Sequence, residues 1–160
     1  MGARLSRMSA SQPQVEFWFD PICPWGGVTS RWVSAVSAVR GFDVARHPGG
    51  LAIINEGRDA GDHAEGMRQG QRMGRVAVAA EQAHGAEVVG RLYTAFGTRI
   101  HPGGRDDTDA IIAEALSEAG LPETLAAAAD DTQFDGVLRE HTDHALKIAG
   151  PDVGVPIISI

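Results

Sequence analysis

The chemistry open to this sequence centres on Cys23, its only cysteine, within Phe17-Trp18-Phe19-Asp20-Pro21-Ile22-Cys23-Pro24-Trp25-Gly26. The thiolate is the reactive form of cysteine, and it is favoured where unpaired backbone N–H groups and a helix dipole meet the sulfur. Val15 to Phe19 is apolar and aromatic and reads as a strand, while Pro24 suits a first helical turn, where a missing N–H costs nothing. Trp25, Val28, Trp32, Val36 and Val39 then recur at helical spacing and predict a helix from about Pro24 to Arg40, stopped by Gly41, with Trp18 and Trp32 in the core. Cys23 is thereby expected at the helix N-terminus as a reactive thiol. A single cysteine excludes an internal disulfide.

The elements that must position this cysteine follow in order. Phe42 to His47 alternates as a strand would, and Pro48-Gly49-Gly50 breaks it. Leu51 to Asn55 is a short apolar segment, and Glu56 to Gly61 a loop. From about His63 to Gly150 the pattern is helical throughout: Met67, Val76, Ala79 and Ala80 on one helix ended by Gly85, Val88 to Phe96 on the next, Ile111 to Leu116 after a cap at Asp107 to Asp109, and Phe134 to Ile148 on the last. Gly66, Gly70 and Gly74 mark close packing or a weak helix. Val153 to Ile160 closes the chain as a β-branched, buried strand. At 160 residues, 43% hydrophobic and with a net charge of −7, the chain suits one soluble, cytoplasmic domain and disfavours nucleic acid or an anionic membrane as partner. Met1 to Gln14 reads as a flexible tail, although Met1–Ser6 matches the bare myristoylation pattern.

Four separated motifs carry a resemblance. Phe17 to Trp25, Leu51-Ala52-Ile53-Ile54-Asn55-Glu56, Ala79-Ala80-Glu81-Gln82-Ala83-His84-Gly85 and Gly154-Val155-Pro156 together resemble the DsbA-like thioredoxin-fold oxidoreductases, most closely the actinobacterial mycothiol-dependent branch also described as nitroreductases. The resemblance spans about Val15 to Ile160. It implies an α/β, thioredoxin-like fold with a large α-helical insertion: residues 15–61 form the first part of the thioredoxin-like domain, 62–150 the insertion, and 151–160 a cis-proline strand returning to that domain. It also implies Cys23 as nucleophile, Pro24 and Trp25 as the intervening active-site pair, Pro156 as the cis-proline, Val155 as a backbone partner for bound thiol, and Asn55 near the active-site face. The implied co-substrate is a low-molecular-weight thiol such as mycothiol, with no bound cofactor, acting on a disulfide or a nitro-aromatic.

Two departures shape these expectations. Gly26 stands where the family carries its second, resolving cysteine, so the expected mechanism is monothiol. Gly26 and Gly27 also cost the helix about 1 kcal/mol each against alanine. Relatives continue past the proline strand into another strand and a C-terminal helix. The sheet is therefore expected to lack that last strand and helix, and the chain to be a fragment or to need a partner edge, as in a homodimer. A thiol-binding module without turnover, and a glutathione-transferase-kappa or isomerase-like enzyme that activates a bound thiol, are the alternatives. His141 and His144 lie at i and i+3 without a third ligand at metal spacing, so a solvated helix face is expected there and no metal site. His84 and His101 read as structural.

Overall fold

A computed structural model of the chain describes residues 15–160. The expected N-terminal tail and the myristoylation pattern lie outside the described residues. The centre is β1 (Val15–Phe19), parallel to β2 (Val44–Pro48) on one side and antiparallel to β3 (Ile157–Ser159) on the other, giving the order β2-β1-β3. Apart from Glu16, which pairs with His47, β1 is apolar, and its Phe and Trp side chains are covered on both faces. Phe17 and Phe19 enter a large core shared with the helices, while Trp18 joins Ala145 and Ile157 in a smaller one.

The helix α1 (Pro24–Arg40) links β1 to β2 and ends at Gly41, whose φ of 72° is a left-handed conformation suited to glycine and whose N–H caps the Ser37 carbonyl at 2.8 Å. Between β2 and β3 run α2 (Leu51–Ile54), α3 (Ala64–His84), α4 (Glu87–Ile100), α5 (Thr108–Glu118) and α6 (Asp135–Ala149), with 3₁₀ turns at Gly61–His63, Glu123–Asp130 and Thr132–Phe134. The architecture is a mixed α/β, thioredoxin-like fold with a helical insertion. α3 is its spine: Met73, Val76 and Ala80 are buried in one core with Leu92, Tyr93 and Phe96 of α4 and Ile111, Ile112 and Leu116 of α5.

The glycine repeat on α3 is a close-packing face. A Cβ at Gly70 would stand 2.7 Å from Asp20 Oδ1, and one at Gly74 would stand 3.0 Å from Leu138 Cδ2. At Gly66 it would meet only Ile22, at an ordinary 3.6 Å. Bare backbone along this line lets α3 lie directly on the turn that carries Cys23 and on α6.

Three expectations are corrected. Trp32 is 61% exposed rather than in the core, and Val28 and Val39 are also exposed. The buried positions of α1 are Gly26, Ser30 and Val33, so α1 meets the sheet through small residues, and its most apolar stripe lies to one side of that contact. The last strand pairs only over Ile157–Ser159, with Ile157 buried but Ile158 and Ile160 exposed, because β1 is its single neighbour among the described residues. The last helix does not present its histidines to solvent alone: His141 stacks on His47 with ring centroids 5.4 Å apart, and His144 lies against Trp18 at 5.7 Å.

Candidate active site

β1 ends at Phe19, and the four residues from Asp20 to Cys23 reverse the chain into α1. The Asp20 carbonyl accepts the Cys23 N–H at 3.0 Å, and the Cys23 carbonyl accepts the Gly26 N–H at 3.1 Å. Cys23 is the N-cap residue, extended at φ −82° and ψ 116°, with Pro24 starting the helix. Its side chain makes no capping bond, which leaves the sulfur for other partners. The thiol donates to the carbonyl oxygen of Val155, 132 residues away in sequence, with Sγ 3.4 Å from that oxygen. The Val155–Pro156 peptide is cis.

Cys23 is 9% exposed and opens on a cavity of about 280 Å³ lined also by Pro24, Leu51, His63 and Met67. A buried sulfur beside a small cavity is reachable by one thiol or disulfide end at a time. Trp25, by contrast, stands 71% exposed at the rim of the turn.

Beneath the turn lies a carboxylate that the spacing of the motif does not single out. Asp20 is 1% exposed, and its two oxygens take different loops: Oδ1 accepts the Ile22 N–H at 2.9 Å and Oδ2 the Leu51 N–H at 3.0 Å. It thereby ties the Cys23 turn to the start of α2. Burial pushes its pKa up to about 6, against the two N–H bonds that pull it down. Tyr93 is buried in the same region, and burial, with the Asp20 carboxyl behind it, pushes its phenol well above the usual range.

Residues 22–160 match the model of the Rv2466c-like family, described as mycothiol-dependent nitroreductase Rv2466c. The chain belongs to this family. Among curated proteins, this Rv2466c-like chain is 29% identical over 150 residues to the uncharacterized protein Rv2286c of Mycobacterium tuberculosis. That alignment covers 90% of the chain and 63% of the relative, so the chain spans less than two-thirds of that relative's length. Its fold is similar to that of Proteus mirabilis DsbA bound non-covalently to a peptide, with TM-score 0.54 and 19% identity over 98% of this chain and 76% of that one. Oxidised Mtb DsbA is similar too, with TM-score 0.53 and 18% identity over 91% of this chain and 71% of that one. These likenesses establish the DsbA-like thioredoxin fold.

In this Rv2466c-like chain the structure brings Cys23, Pro24, Val155 and Pro156 together, and Gly26 lies buried behind them against Phe19. Asn55 is not among the cavity-lining residues; its amide donates to the Leu51 carbonyl at 2.9 Å and closes α2. His101 reads in the sequence only as part of a Pro-Gly turn, yet its Nε2 lies 2.8 Å from the Pro21 carbonyl. It pins the far end of α4 to the cysteine turn. Nothing in the local pattern around His101 indicates a partner 80 residues earlier. Among the described residues no group of three or more His, Cys, Asp or Glu side chains is placed to hold a metal ion, and no helix is long and apolar enough to cross a membrane.

Proposed function

We propose that this protein is a thiol-dependent oxidoreductase in which Cys23, working without a resolving cysteine, exchanges with a mycothiol-like small thiol. The observation that carries the reading is the placement of the chain's only thiol at the α1 N-cap, 3.4 Å from the Val155 carbonyl and beside the cis Pro156. An extended backbone next to the sulfur is what a bound disulfide lies along as an added strand. The Cys23 thiolate attacks one sulfur of a mixed disulfide, forms a new S–S bond to the small thiol and expels the other half as a thiolate, which takes a proton. A second small thiol then attacks the small-thiol sulfur bound to Cys23, leaves with it as the symmetrical disulfide and returns Cys23 to its starting state. With a nitro-aromatic acceptor the balance is equivalent: Cys23 and one small thiol become one disulfide while the nitro group takes two electrons and two protons, giving a nitroso group and water. Pro24, Trp25 and Gly26 shape the approach. The reading places the protein in the cytoplasm, where reduced small thiols are abundant.

Exposure to oxidised mycothiol is expected to add one mycothiol to the intact mass, on Cys23, and reduced mycothiol to remove it. Failure to form the adduct overturns the proposal; an adduct that reduced thiol cannot remove favours a thiol-binding module without turnover.

The reading includes a homodimer. Trp32, Val36, Phe42, Ile158 and Ile160 line an apolar groove of about 500 Å³ beside β3, whose one strand partner among the described residues is β1, a surface of the kind that a second copy covers. Sedimentation is expected to show a dimer that Trp32→Asp converts to monomer with the Cys23 adduct still forming; a monomer at tens of micromolar removes the dimer from the reading.

A further inference from the structure

Two histidines that the thiol chemistry does not use face each other between the sheet and the last helix. His47 of β2 and His141 of α6 stack with ring centroids 5.4 Å apart and planes 28° from parallel. His47 also stacks on Trp18 at 5.0 Å. Both ring nitrogens of His47 are buried without a hydrogen bond, Nε2 standing 3.4 Å from Glu16 Oε1. His141 Nε2–H donates to Glu81 Oε2 at 3.1 Å. α1 and α4 pack on the other face of β2, where Arg46 meets Ser34 and Gly90. The titratable groups facing the stacked pair are therefore Glu16 from β1, Glu81 from α3 and, across Trp18, His144 from α6.

The neighbouring residue on α6 reaches toward the cysteine site. Thr142 is buried; its Oγ1 accepts the Gly50 N–H at 3.1 Å and donates to the Leu138 carbonyl at 2.8 Å. Gly50 is the N-cap of α2. The following N–H, that of Leu51, goes to Asp20 Oδ2 at 3.0 Å, and Leu51 lines the cavity over Cys23. Two successive amides thus tie α2 to α6 on one side and to the cysteine turn on the other. The histidine pair flanks this tie, since His47 leads through Pro48 and Gly49 to Gly50 and His141 directly precedes Thr142.

We propose that the His47–His141 stack is a pH-sensitive latch. With the rings neutral it holds α6 on the sheet and, through Thr142 and Gly50, keeps the Leu51 wall closed over Cys23. Acid sets two imidazolium rings face to face, releases α6 and loosens that wall. The latch does not depend on which thiol or disulfide Cys23 takes. Its direction follows from proton binding. Burial and the His141 ring hold His47 below the usual 6.5 and outweigh Glu16 and Glu81, which favour its charged form. In the released state the rings meet water and titrate in the ordinary range, so below about pH 6.5 that state binds more protons than the closed one and gains on it as pH falls.

Hydrogen exchange tests the latch, with amide protection corrected for the pH dependence of the chemical rate and β1 as internal reference. In the wild type, segments 49–56 and 138–146 are expected to lose at least about tenfold in protection between about pH 7.5 and about pH 5, while β1 keeps its own. His141→Gln, which keeps an N–H for Glu81 but takes up no proton, is expected to cut that loss to less than about threefold, and His47→Gln to do the same. Asp20→Asn is expected to retain the loss, which separates the latch from the Asp20 carboxyl. Alkylation of Cys23 by iodoacetamide is compared between wild type and His141→Gln at one pH, so that the ordinary thiolate dependence cancels. The two rates are expected within about twofold of each other at about pH 7.5, with wild type at least about fivefold faster at about pH 5. No loss of protection in the wild type, the same loss in both glutamine variants, or a loss that Asp20→Asn abolishes overturns the latch. Equal alkylation rates at the lower pH overturn its link to the Cys23 cavity.

Discussion

After one equivalent of a mixed disulfide and no further thiol, the wild-type protein is expected to keep the small thiol on Cys23 for hours, and Gly26→Cys to release it within seconds to minutes. Position 26 lies on the first turn of α1, with its N–H on the Cys23 carbonyl at 3.1 Å, so a sulfur there is held beside the one at 23. A side chain fits with small adjustment: a Cβ at residue 26 would be 3.3 Å from Phe19 Cβ and 3.4 Å from the Asp20 carbonyl oxygen, contacts that ease when Phe19 gives by a few tenths of an ångström. An internal thiol in attack geometry acts at an effective concentration many orders of magnitude above millimolar solution thiol. The variant should therefore expel the adduct as free thiol and close a disulfide between Cys23 and the introduced sulfur, visible as a loss of two hydrogens in intact mass. Release from wild type at the same rate without added thiol would mean that the mixed disulfide does not depend on an external resolving thiol, and the monothiol scheme would fail.

The contrast between residues 23 and 26 comes from the family resemblance, which places both positions within one short motif of the sequence. Legible in the sequence itself are the helix ends at Gly41, Gly85 and Gly150, whose positive φ values of 72°, 94° and 94° are the glycine signature the pattern relies on. What the sequence hides is long-range. Trp32 reads as a core residue because it is the largest apolar side chain in the body of α1, whereas the sheet accepts Gly26, Ser30 and Val33 and leaves Trp32 exposed. Closeness of backbones, set by β1 beneath the helix, overrides side-chain hydrophobicity. Asp107 reads as a side-chain cap for α5 and does occupy the N-cap position, but its carboxylate is taken by Arg105. The contacts of His101 with Pro21 and of Gly70 with Asp20 join residues far apart in the chain. No window of sequence contains both partners, and helical periodicity is silent about which helix lies on which turn.

Asp20 is where that hidden packing has the largest thermodynamic consequence. Its carboxyl is expected to make the protein lose about 3 kcal/mol of stability as pH rises from below 4 to above 6, and Asp20→Asn to abolish that loss. The magnitude follows from the gap between the ordinary value of 3.8 and a folded-state value of about 6, at about 1.36 kcal/mol for each pH unit. The sign follows from proton binding. In the folded state Asp20 holds its proton up to about pH 6, while in the unfolded chain it gives it up near 3.8, so between those values the native state binds more protons and stability falls as pH rises. The protonated acid fits best, since it can still accept from Ile22 and Leu51 without a buried charge. Asparagine keeps one acceptor and loses the other, which costs about 1–3 kcal/mol for the unsatisfied N–H at any pH. Denaturant titrations at pH 4.5 and 7.5 should accordingly find the variant clearly less stable than wild type at the lower pH and close to it, or more stable, at the higher. Alanine, which abandons both N–H groups and leaves a void beside Gly70, should be worse than asparagine at both. Wild-type and Asp20→Asn stability curves that run parallel between pH 4 and 6.5 would show that the carboxyl titrates as it does in water, and would remove it as the pH-sensitive tie between the cysteine turn and α2.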